Sequence, residues 1–470
     1  MKAGIKGLII LVAAVFSAAS ADVIIIPDDY RTIQAGIDAS QSGDTILVER
    51  GVYHENLVIQ GHSLILASRF FVTGDTLDIQ NTIIDGDSFD TVIKIGNWYD
   101  PGSMICGFTI THGAGYYQGG GVYIENSSMV RNNIIKNNSS SRGGGIHSVG
   151  NAIIADNIIR NNHATVAGGG IITYGGSFIV ERNIISDNVS DTYGGGIHIE
   201  DSQYAIIRDN VITGNHSDSH GGAIVFYTDD EGGLLSGNLI VGNVTESGYG
   251  VEFCPGEYDI ANNTICNNMG TGYGVFFGQH TTAIFVNNIV WDYTYQQIFI
   301  APSATVTVTY SDVRGGFNGT GNIDSYPMFV DTANGDFHLL AGSPCIDAGD
   351  PNSPYDPDGT IADMGAFYFD QLVGIDQGSS AIPEFAGLIT NYPNPFNVST
   401  RISFELPESG QAALTIHDLL GRRIGTPING YLQAGVHNIV FDGSGLASGI
   451  YFYQLKAGDR TEIKRMTLIK

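Results

Sequence analysis

Three residues at matching positions of successive sequence repeats could together bind a sugar. They are Tyr174, Glu200 and Tyr227, and each lies three residues after the first apolar residue that follows a glycine-rich segment. Side chains alternate between the two faces of a strand, so an inward first residue places all three on the outer face. Aromatic rings can stack on sugar rings, and a carboxylate can accept hydroxyl hydrogen bonds or transfer protons. The spacing therefore predicts a groove centred on these three residues.

Other polar residues flank the predicted groove. The same alternation places His198 on the outer face, and the acidic turn of Asp229 and Asp230 follows the strand that ends near Tyr227. The alternative is a solvated sheet, because tyrosine is a common strand residue. Glycoside hydrolysis would need a suitably placed pair of carboxyl groups. The sequence does not assign such a pair, so catalytic residues stay unknown and enzymatic activity stays open.

A loop rich in proline and glycine concentrates aspartates that could bind calcium. Crowded oxygen donors suit Ca²⁺, although the segment DPDG is only a fragment of the EF-hand spacing. Turn formation is the alternative for this loop, and it is also the interpretation of Asp85 and Asp87 near the N-terminus. No cofactor is certain, and calcium is the one candidate. The candidate calcium ligands are Asp347, Asp350, Asp356 and Asp358.

The elements that must position these residues come from a repeat of 24–28 residues, such as NNIIKNN, DNIIRNN and RNIISDN. A repeat of this length predicts a solenoid. Asparagines at corners tolerate the left-handed conformation, and their amides can bond to the equivalent amide of the next coil. The predicted structural ladder consists of Asn133, Asn157, Asn183, Asn210, Asn238 and Asn263.

Short runs of Ile and Val between Gly and Asn turns predict strands rather than helices. One coil per repeat gives parallel sheets with strands about 4.8 Å apart. Isoleucines at equivalent positions would then stack into a continuous core. The sequence predicts an all-β protein: a right-handed parallel β-helix solenoid followed by a small Ig-like β-sandwich.

These repeats, between roughly residues 23 and 366, resemble those of the pectin-lyase-like superfold. The resemblance implies the fold more strongly than an activity, because function depends on sites added to such scaffolds. The ordered motifs of polygalacturonases, pectin esterases and pectate lyases are not found in this sequence. If the chain is an enzyme, the resemblance implies a polysaccharide lyase or a glycoside hydrolase. Two functions stay open: an exported protein that binds or processes an extracellular polysaccharide, and a surface structural or adhesive solenoid without catalysis.

The N-terminus has the pattern of a secretory signal peptide, in which Lys2 and Lys6 precede the apolar run 7–16 and small residues follow. No transmembrane helix is expected elsewhere. The formal net charge of −27, with 21 Lys and Arg, argues against nucleic acid as a partner. Among four cysteines, Cys254 and Cys266 are both expected to face outward, so a disulfide between them is one possibility.

The last eighty residues contain alternating strand patterns and the segments NYPNPFN, LPESG and IHDLLGRRI. These segments resemble those of the type A sorting domain of the type IX secretion system. The resemblance implies that residues 391–470 contact this secretion machinery in a Gram-negative bacterium. The protein would then be secreted or placed on the outer-membrane surface.

The sequence divides into six segments. They are a signal peptide (1–21), an N-terminal cap with the first coils (22–104), regular repeats (105–300), a last coil with a C-terminal cap (301–369), a linker (370–390) and the sorting domain (391–470).

Overall fold

The computed structural model describes residues 21–371, except 97–101, 229–231 and 293–295, and residues 388–468 with short gaps. These gaps are 393–395, 397, 407–408, 419–422, 434, 447–448 and 458–459. The predicted signal peptide, apart from its last residue, and most of the predicted linker lie outside the described residues.

The chain winds into coils whose strands pair in parallel with the equivalent strands of the next coil. This arrangement confirms the predicted parallel β-helix. Each regular coil passes through four sheets, named here A, B, D and C in the order in which the chain visits them. Sheet A consists of Val23–Ile26, Thr45–Val48, Ile65–Ser68, Met104–Cys106, Met129–Arg131, Ile153–Ala155, Ser177–Glu181, Tyr204–Arg208, Gly232–Ser236, Gly256–Ala261, Thr281–Val286 and Thr305–Thr309.

The remaining sheets complete the coil. Sheet B consists of Gly51–His54, Thr82–Asp85, Thr109–Thr111, Ile134–Lys136, Ile158–Arg160, Ile184–Ser186, Val211–Thr213, Leu239–Val241, Thr264–Cys266, Ile289–Trp291 and Asp312–Val313. Sheet D is short and consists of Ala114–Gly115, Ser139–Arg142, His163–Ala167, Val189–Ser190, His216–Ser217 and Val244–Thr245. Sheet C consists of Leu57–Ile59, Ile93–Ile95, Val122–Ile124, Ile146–Ser148, Ile171–Tyr174, Ile197–Glu200, Ile224–Tyr227, Val251–Phe253, Tyr273–Phe277 and Gln296–Ile300.

The core is a set of apolar columns that run along the solenoid. One column lies on sheet B, where each isoleucine pairs with its equivalent in the next coil and is fully buried. Burying an Ile side chain contributes roughly 1.5–3 kcal/mol, so repetition of this position stabilises every coil. The column consists of Ile135, Ile159, Ile185, Ile212, Ile240 and Ile265.

Buried asparagine amides connect the coils at the corner between sheets A and B. Asn183 is representative: its Nδ2 donates to Asn210 Oδ1 (3.1 Å) and to Ile154 O (2.8 Å). Its Oδ1 accepts the backbone N–H and the Nδ2–H of Asn157, both at 3.0 Å. The same pattern joins Asn133, Asn157, Asn183, Asn210, Asn238, Asn263 and Asn288.

A second amide column lies at the corner that follows sheet B. It ends where Asn268 donates its backbone N–H to Asp292 Oδ1 (2.8 Å). Burial raises the pKa of Asp292 to about 7. The column consists of Asn138, Asn162, Asn188, Asn215, Asn243 and Asn268.

Asparagines at the corners do adopt the left-handed conformation, as at Asn132, Asn137 and Asn161, but these are not the ladder asparagines themselves. Positive φ occurs at the preceding residue, as at Asn132 (55°), Asp156 (58°) and Arg182 (53°). The preceding residue makes the sharp turn, and the ladder asparagine is thereby aimed inward at its neighbours in the stack.

A short helix covers the first coil within the segment predicted as the N-terminal cap. The helix Ile33–Ala39 buries Ile33 and Ile37, and Thr32 Oγ1 accepts the Ala35 N–H (3.2 Å) as its N-cap. A Cβ on Gly36 would stand 2.8 Å from Ile26 Cδ1, so glycine permits the close approach. Two further helices, Phe70–Thr73 and Thr76–Asn81, precede the strand Thr82–Asp85.

The segment predicted as a C-terminal cap packs against the side of the solenoid. It contains the antiparallel pair Phe329–Asp331 and Asp336–Leu339 and the 3₁₀-helix Thr332–Asn334. Its apolar residues form one cluster with outward-facing residues of sheet B. Cys266 faces outward from sheet B, as predicted, but it belongs to that cluster and is buried beneath the C-terminal segment. All four cysteines are free thiols, so the structure has no disulfide between Cys254 and Cys266.

The C-terminal region forms two antiparallel sheets around one apolar core of its own. One sheet contains Leu388–Tyr392, Ser399–Leu406 and Gly435–Asp442. The other contains Arg423–Leu432, Gly410–Asp418, Gly449–Ala457 and Arg460–Leu468. In the described parts of the chain, no helix has the length and apolar character needed to cross a membrane.

The ladder supplies a test of the fold. Replacing Asn183 with Leu should lower the free energy of unfolding by about 1–3 kcal/mol, because the groups that Asn183 bonds would stay buried without their partners. Asn352→Leu is the matched control, since Asn352 lies exposed in a loop where it bonds Asp350. Urea and thermal unfolding measure both variants. Equal melting temperatures would contradict a contribution from the ladder.

Candidate functional site

The three residues of the predicted groove lie side by side in sheet C. Tyr174 pairs with Glu200, and Glu200 pairs with Tyr227 in the next coil. Tyr174 is 40% exposed and Tyr227 is 52% exposed. The two rings are separated by two strand spacings, which corresponds to about 9–10 Å. The arrangement presents two aromatic faces to solvent with a carboxylate between them.

Arg142 on sheet D holds the central carboxylate. Its Nη1 lies 2.6 Å from Glu200 Oε2, although the two residues are 58 positions apart. Arg142 pairs with Ala167, and Ala167 bridges to Tyr193 one coil further. Because the alanine is small, the arginine side chain can extend along this column towards Glu200. This partner could not be found from the sequence, because the pair spans two coils and two sheets.

His198 is beneath the groove surface rather than on it, which corrects its prediction as an outward groove residue. It points away from the apolar core, yet it is only 5% exposed. The glycine segment before the strand folds against it, and a Cβ on Gly194 would stand 2.9 Å from the His198 Cβ. The Tyr193 ring lies 5.8 Å away. The alternation rule gave the correct side of the strand, but the glycine segment and Tyr193 cover that position.

His147 occupies the same covered position two coils earlier. Both His147 and His198 have a buried Nδ1 atom without a hydrogen-bond partner among the described residues. Burial, and then the positive charge of Arg142, lower the pKa of His198 to about 3 and that of His147 to about 4. Both side chains are therefore neutral at ordinary pH. They form an uncharged layer below the ion pair of Arg142 and Glu200.

A histidine–carboxylate pair follows the ion pair of Arg142 and Glu200 along the groove. His220 Nδ1 lies 3.0 Å from Glu252 Oε2, and this hydrogen bond raises the pKa of His220. The His220 ring stacks on Tyr193 with a centroid distance of 5.3 Å. Tyr193 thus lies between the covered His198 and the more exposed His220.

Towards the later coils, the same surface becomes aromatic. Tyr249 stacks on Phe276 at 4.1 Å with an interplanar angle of 5°, and Phe276 stacks on Phe299 at 5.3 Å. The outer face of sheet C therefore changes from charged near Glu200 to aromatic near Phe299. Asp229 and Asp230, the acidic turn predicted beside the groove, lie outside the described residues.

The aspartates predicted as calcium ligands are engaged within their own loop. Asp356 Oδ2 accepts the Asp363 N–H (2.8 Å), and Asp350 Oδ1 accepts the backbone and amide N–H groups of Asn352 (both 2.9 Å). Asp358 Oδ1 accepts from the Thr360 backbone N–H (3.1 Å). Asp347 and the other three do not form a group of three or more converging donors among the described residues. The turn alternative is the one that these contacts favour.

Two regions of the chain match known protein families. Residues 97–265 match the family model described as right handed beta helix region, which includes the strands that carry Arg142, Tyr174, Glu200 and Tyr227. Residues 390–470 match the model described as secretion system C-terminal sorting domain. No curated protein matches the chain significantly.

The buried histidines predict a specific acid sensitivity. Their folded pKa values lie below the unfolded value of about 6.5, so their contribution to stability is complete above that pH and is lost as the pH falls towards the folded values. At about pH 4.5 this loss is on the order of 2 kcal/mol for each histidine. Urea unfolding at about pH 7 and pH 4.5 measures how much the free energy of unfolding falls with acid. This fall should be smaller for the His147→Gln/His198→Gln variant than for the unaltered chain.

Tyr204→Ala provides the control for this measurement, because it removes a similarly exposed side chain on sheet A that is neither a histidine nor a carboxyl group. Tyr204→Ala should show the same acid-induced loss as the unaltered protein. If the double variant also shows that loss in full, the two buried histidines do not titrate as described.

Proposed function

We propose that this chain, a right-handed parallel β-helix protein with a C-terminal secretion sorting domain, binds an extracellular polysaccharide after its export. The binding surface is the groove on the outer face of sheet C, centred on Tyr174, Glu200 and Tyr227. The sorting domain indicates export to the cell surface or the medium.

The observation that carries the proposal is the register of the two exposed tyrosines with Glu200 between them. Each ring can stack on the face of one sugar unit. The carboxylate can accept hydrogen bonds from the hydroxyl groups of the sugar unit that lies between the two rings. A groove that repeats from coil to coil also suits a polymer, because both repeat along a line. Binding of a chain rather than of a single sugar follows from this geometry.

The charges of the groove favour binding over hydrolysis. Glu200 Oε2 is already engaged in a charge-assisted hydrogen bond with Arg142, and the sequence assigns no second carboxyl group to form the pair that glycoside hydrolysis needs. The formal net charge of −27 disfavours direct binding of polyuronates, unless calcium bridges the charges. We therefore propose a neutral or cationic polysaccharide as the ligand.

A polysaccharide microarray probed with the purified chain, with and without Ca²⁺, tests this proposal. The Tyr174→Ala/Tyr227→Ala variant should lose binding by at least about tenfold, because loss of each stacking contact costs on the order of 1 kcal/mol. Both side chains are exposed, so the variant should retain the melting temperature of the unaltered chain.

Tyr204→Ala is the matched control, because Tyr204 is a similarly exposed tyrosine on sheet A. It should bind as the unaltered chain does. Undiminished binding by the folded double variant would place the ligand elsewhere. Absence of binding to every polysaccharide would favour the alternative, a surface structural or adhesive solenoid.

Export through the outer membrane of a Gram-negative cell by the type IX machinery is the second part of the proposal. Deleting residues 391–470 should leave the β-helix folded but retained in the periplasm, since each domain has its own core. Cell fractionation and immunoblotting measure the location, with the full-length chain as control. Normal amounts of truncated protein outside the cells would show that this domain is not an export signal.

A further inference from the structure

A group of histidine and aspartate side chains lies at the opposite end of the solenoid from the aromatic part of the groove. His54 is the last residue of one strand of sheet B, and it pairs with Asp85, the last residue of the next strand. Asp87 follows two residues later in the turn. One ligand atom from each of these three residues lies within 4.8 Å of the other two. Asp85 and Asp87 are interpreted from the sequence as turn residues, and the sequence alone does not connect them to His54.

Hydrogen bonds already orient these side chains towards one another. His54 Nδ1 lies 2.8 Å from Asp87 Oδ1, and the Asp87 N–H donates to Asp85 Oδ1 (3.0 Å). From the next coil, His112 Nδ1 lies 2.9 Å from Asp85 Oδ2. His54 and Asp87 have side chains that are 58% and 60% exposed, so small rotations can bring their donor atoms closer to a common centre.

We propose that His54, Asp85 and Asp87 bind one Zn²⁺ ion, with His112 as a positioning residue for Asp85. Imidazole nitrogen and carboxylate oxygen at about 2.0–2.2 Å are ordinary zinc ligands, and water can occupy the fourth position. Calcium requires six to eight oxygen ligands and is disfavoured by the histidine. His112 holds the second oxygen of Asp85, as outer-shell partners of metal ligands commonly do.

The position of this group suggests what the ion does for the fold. The second asparagine column begins at Asn138, whose Oδ1 accepts the Gly113 N–H (2.8 Å) from the preceding coil. In the two preceding coils, the equivalent corner contains Gly113 and Gly86. Glycine has no side-chain amide, so the bonds between amides do not continue through these coils. The zinc ligands and His112 come from three consecutive coils at this corner. The ion would therefore connect coils in the part of the solenoid that this column does not reach.

Isothermal titration of the chelator-treated full chain with ZnCl₂, and separately with CaCl₂, tests the assignment. We expect one Zn²⁺ per chain, with Ca²⁺ bound at least tenfold more weakly. His54→Ala and Asp87→Asn should remove the site from the titration. Asp87 has a φ of 51°, which asparagine tolerates well, so the second variant keeps the backbone conformation. His112→Ala should weaken zinc binding about 10–100-fold.

His216→Ala is the matched control, because His216, Asp218 and Glu246 form another group with similar donor spacing. This variant should bind the ion with unchanged affinity. Zinc should raise the melting temperature of the unaltered chain and of His216→Ala, but not that of His54→Ala. Failure of the unaltered chain to bind Zn²⁺, or unchanged binding by His54→Ala and Asp87→Asn, would overturn the proposal. Loss of binding in His216→Ala alone would assign the ion to the other group.

Discussion

The buried hydrogen bonds between asparagine amides are the constraint on which the rest of the structure depends. An amide that is buried without a partner costs about 1–3 kcal/mol, and a slip of one residue would leave a whole column without partners. The two columns therefore fix the register of every regular coil. The same register fixes which outward residues become neighbours, and so it places Glu200 between Tyr174 and Tyr227. The groove is a consequence of the ladder as much as of its own residues.

Much of this arrangement could be predicted from the sequence, because the repeat length shows which residues of successive coils are paired. The inward isoleucine columns, the amide columns and the alignment of the two tyrosines all follow from a repeat length and the alternation of a strand. The burial of His198 does not, because it depends on a glycine segment that folds back over the strand. The pairing of Arg142 with Glu200 also cannot be predicted from single repeats. It depends on the small Ala167, which lies between Arg142 and Tyr193 in neighbouring coils.

The side packing of the C-terminal segment shows the same limit. The sequence indicates where the regular coils end, but it does not show which face the following residues cover. Those residues cover the outer face of sheet B and bury the outward-facing Cys266 in an apolar cluster. Sheets C and D are thereby left as the surface on which aromatic and charged side chains gather. A scaffold of this kind keeps its packing and its recognition surface on separate sides of the same strands.

The length of chain between bonded residues gives the solenoid a direction of assembly. Asn183 bonds a residue 27 positions later, so each coil needs only its neighbour in order to form. The C-terminal segment is different: Ala366 donates to Thr264 and Asn262 donates to Asp363, across 102 and 101 positions. These contacts cannot form until several finished coils already present a surface. A chain that emerges N-terminus first can thus add coils one at a time, and the side segment closes over them last.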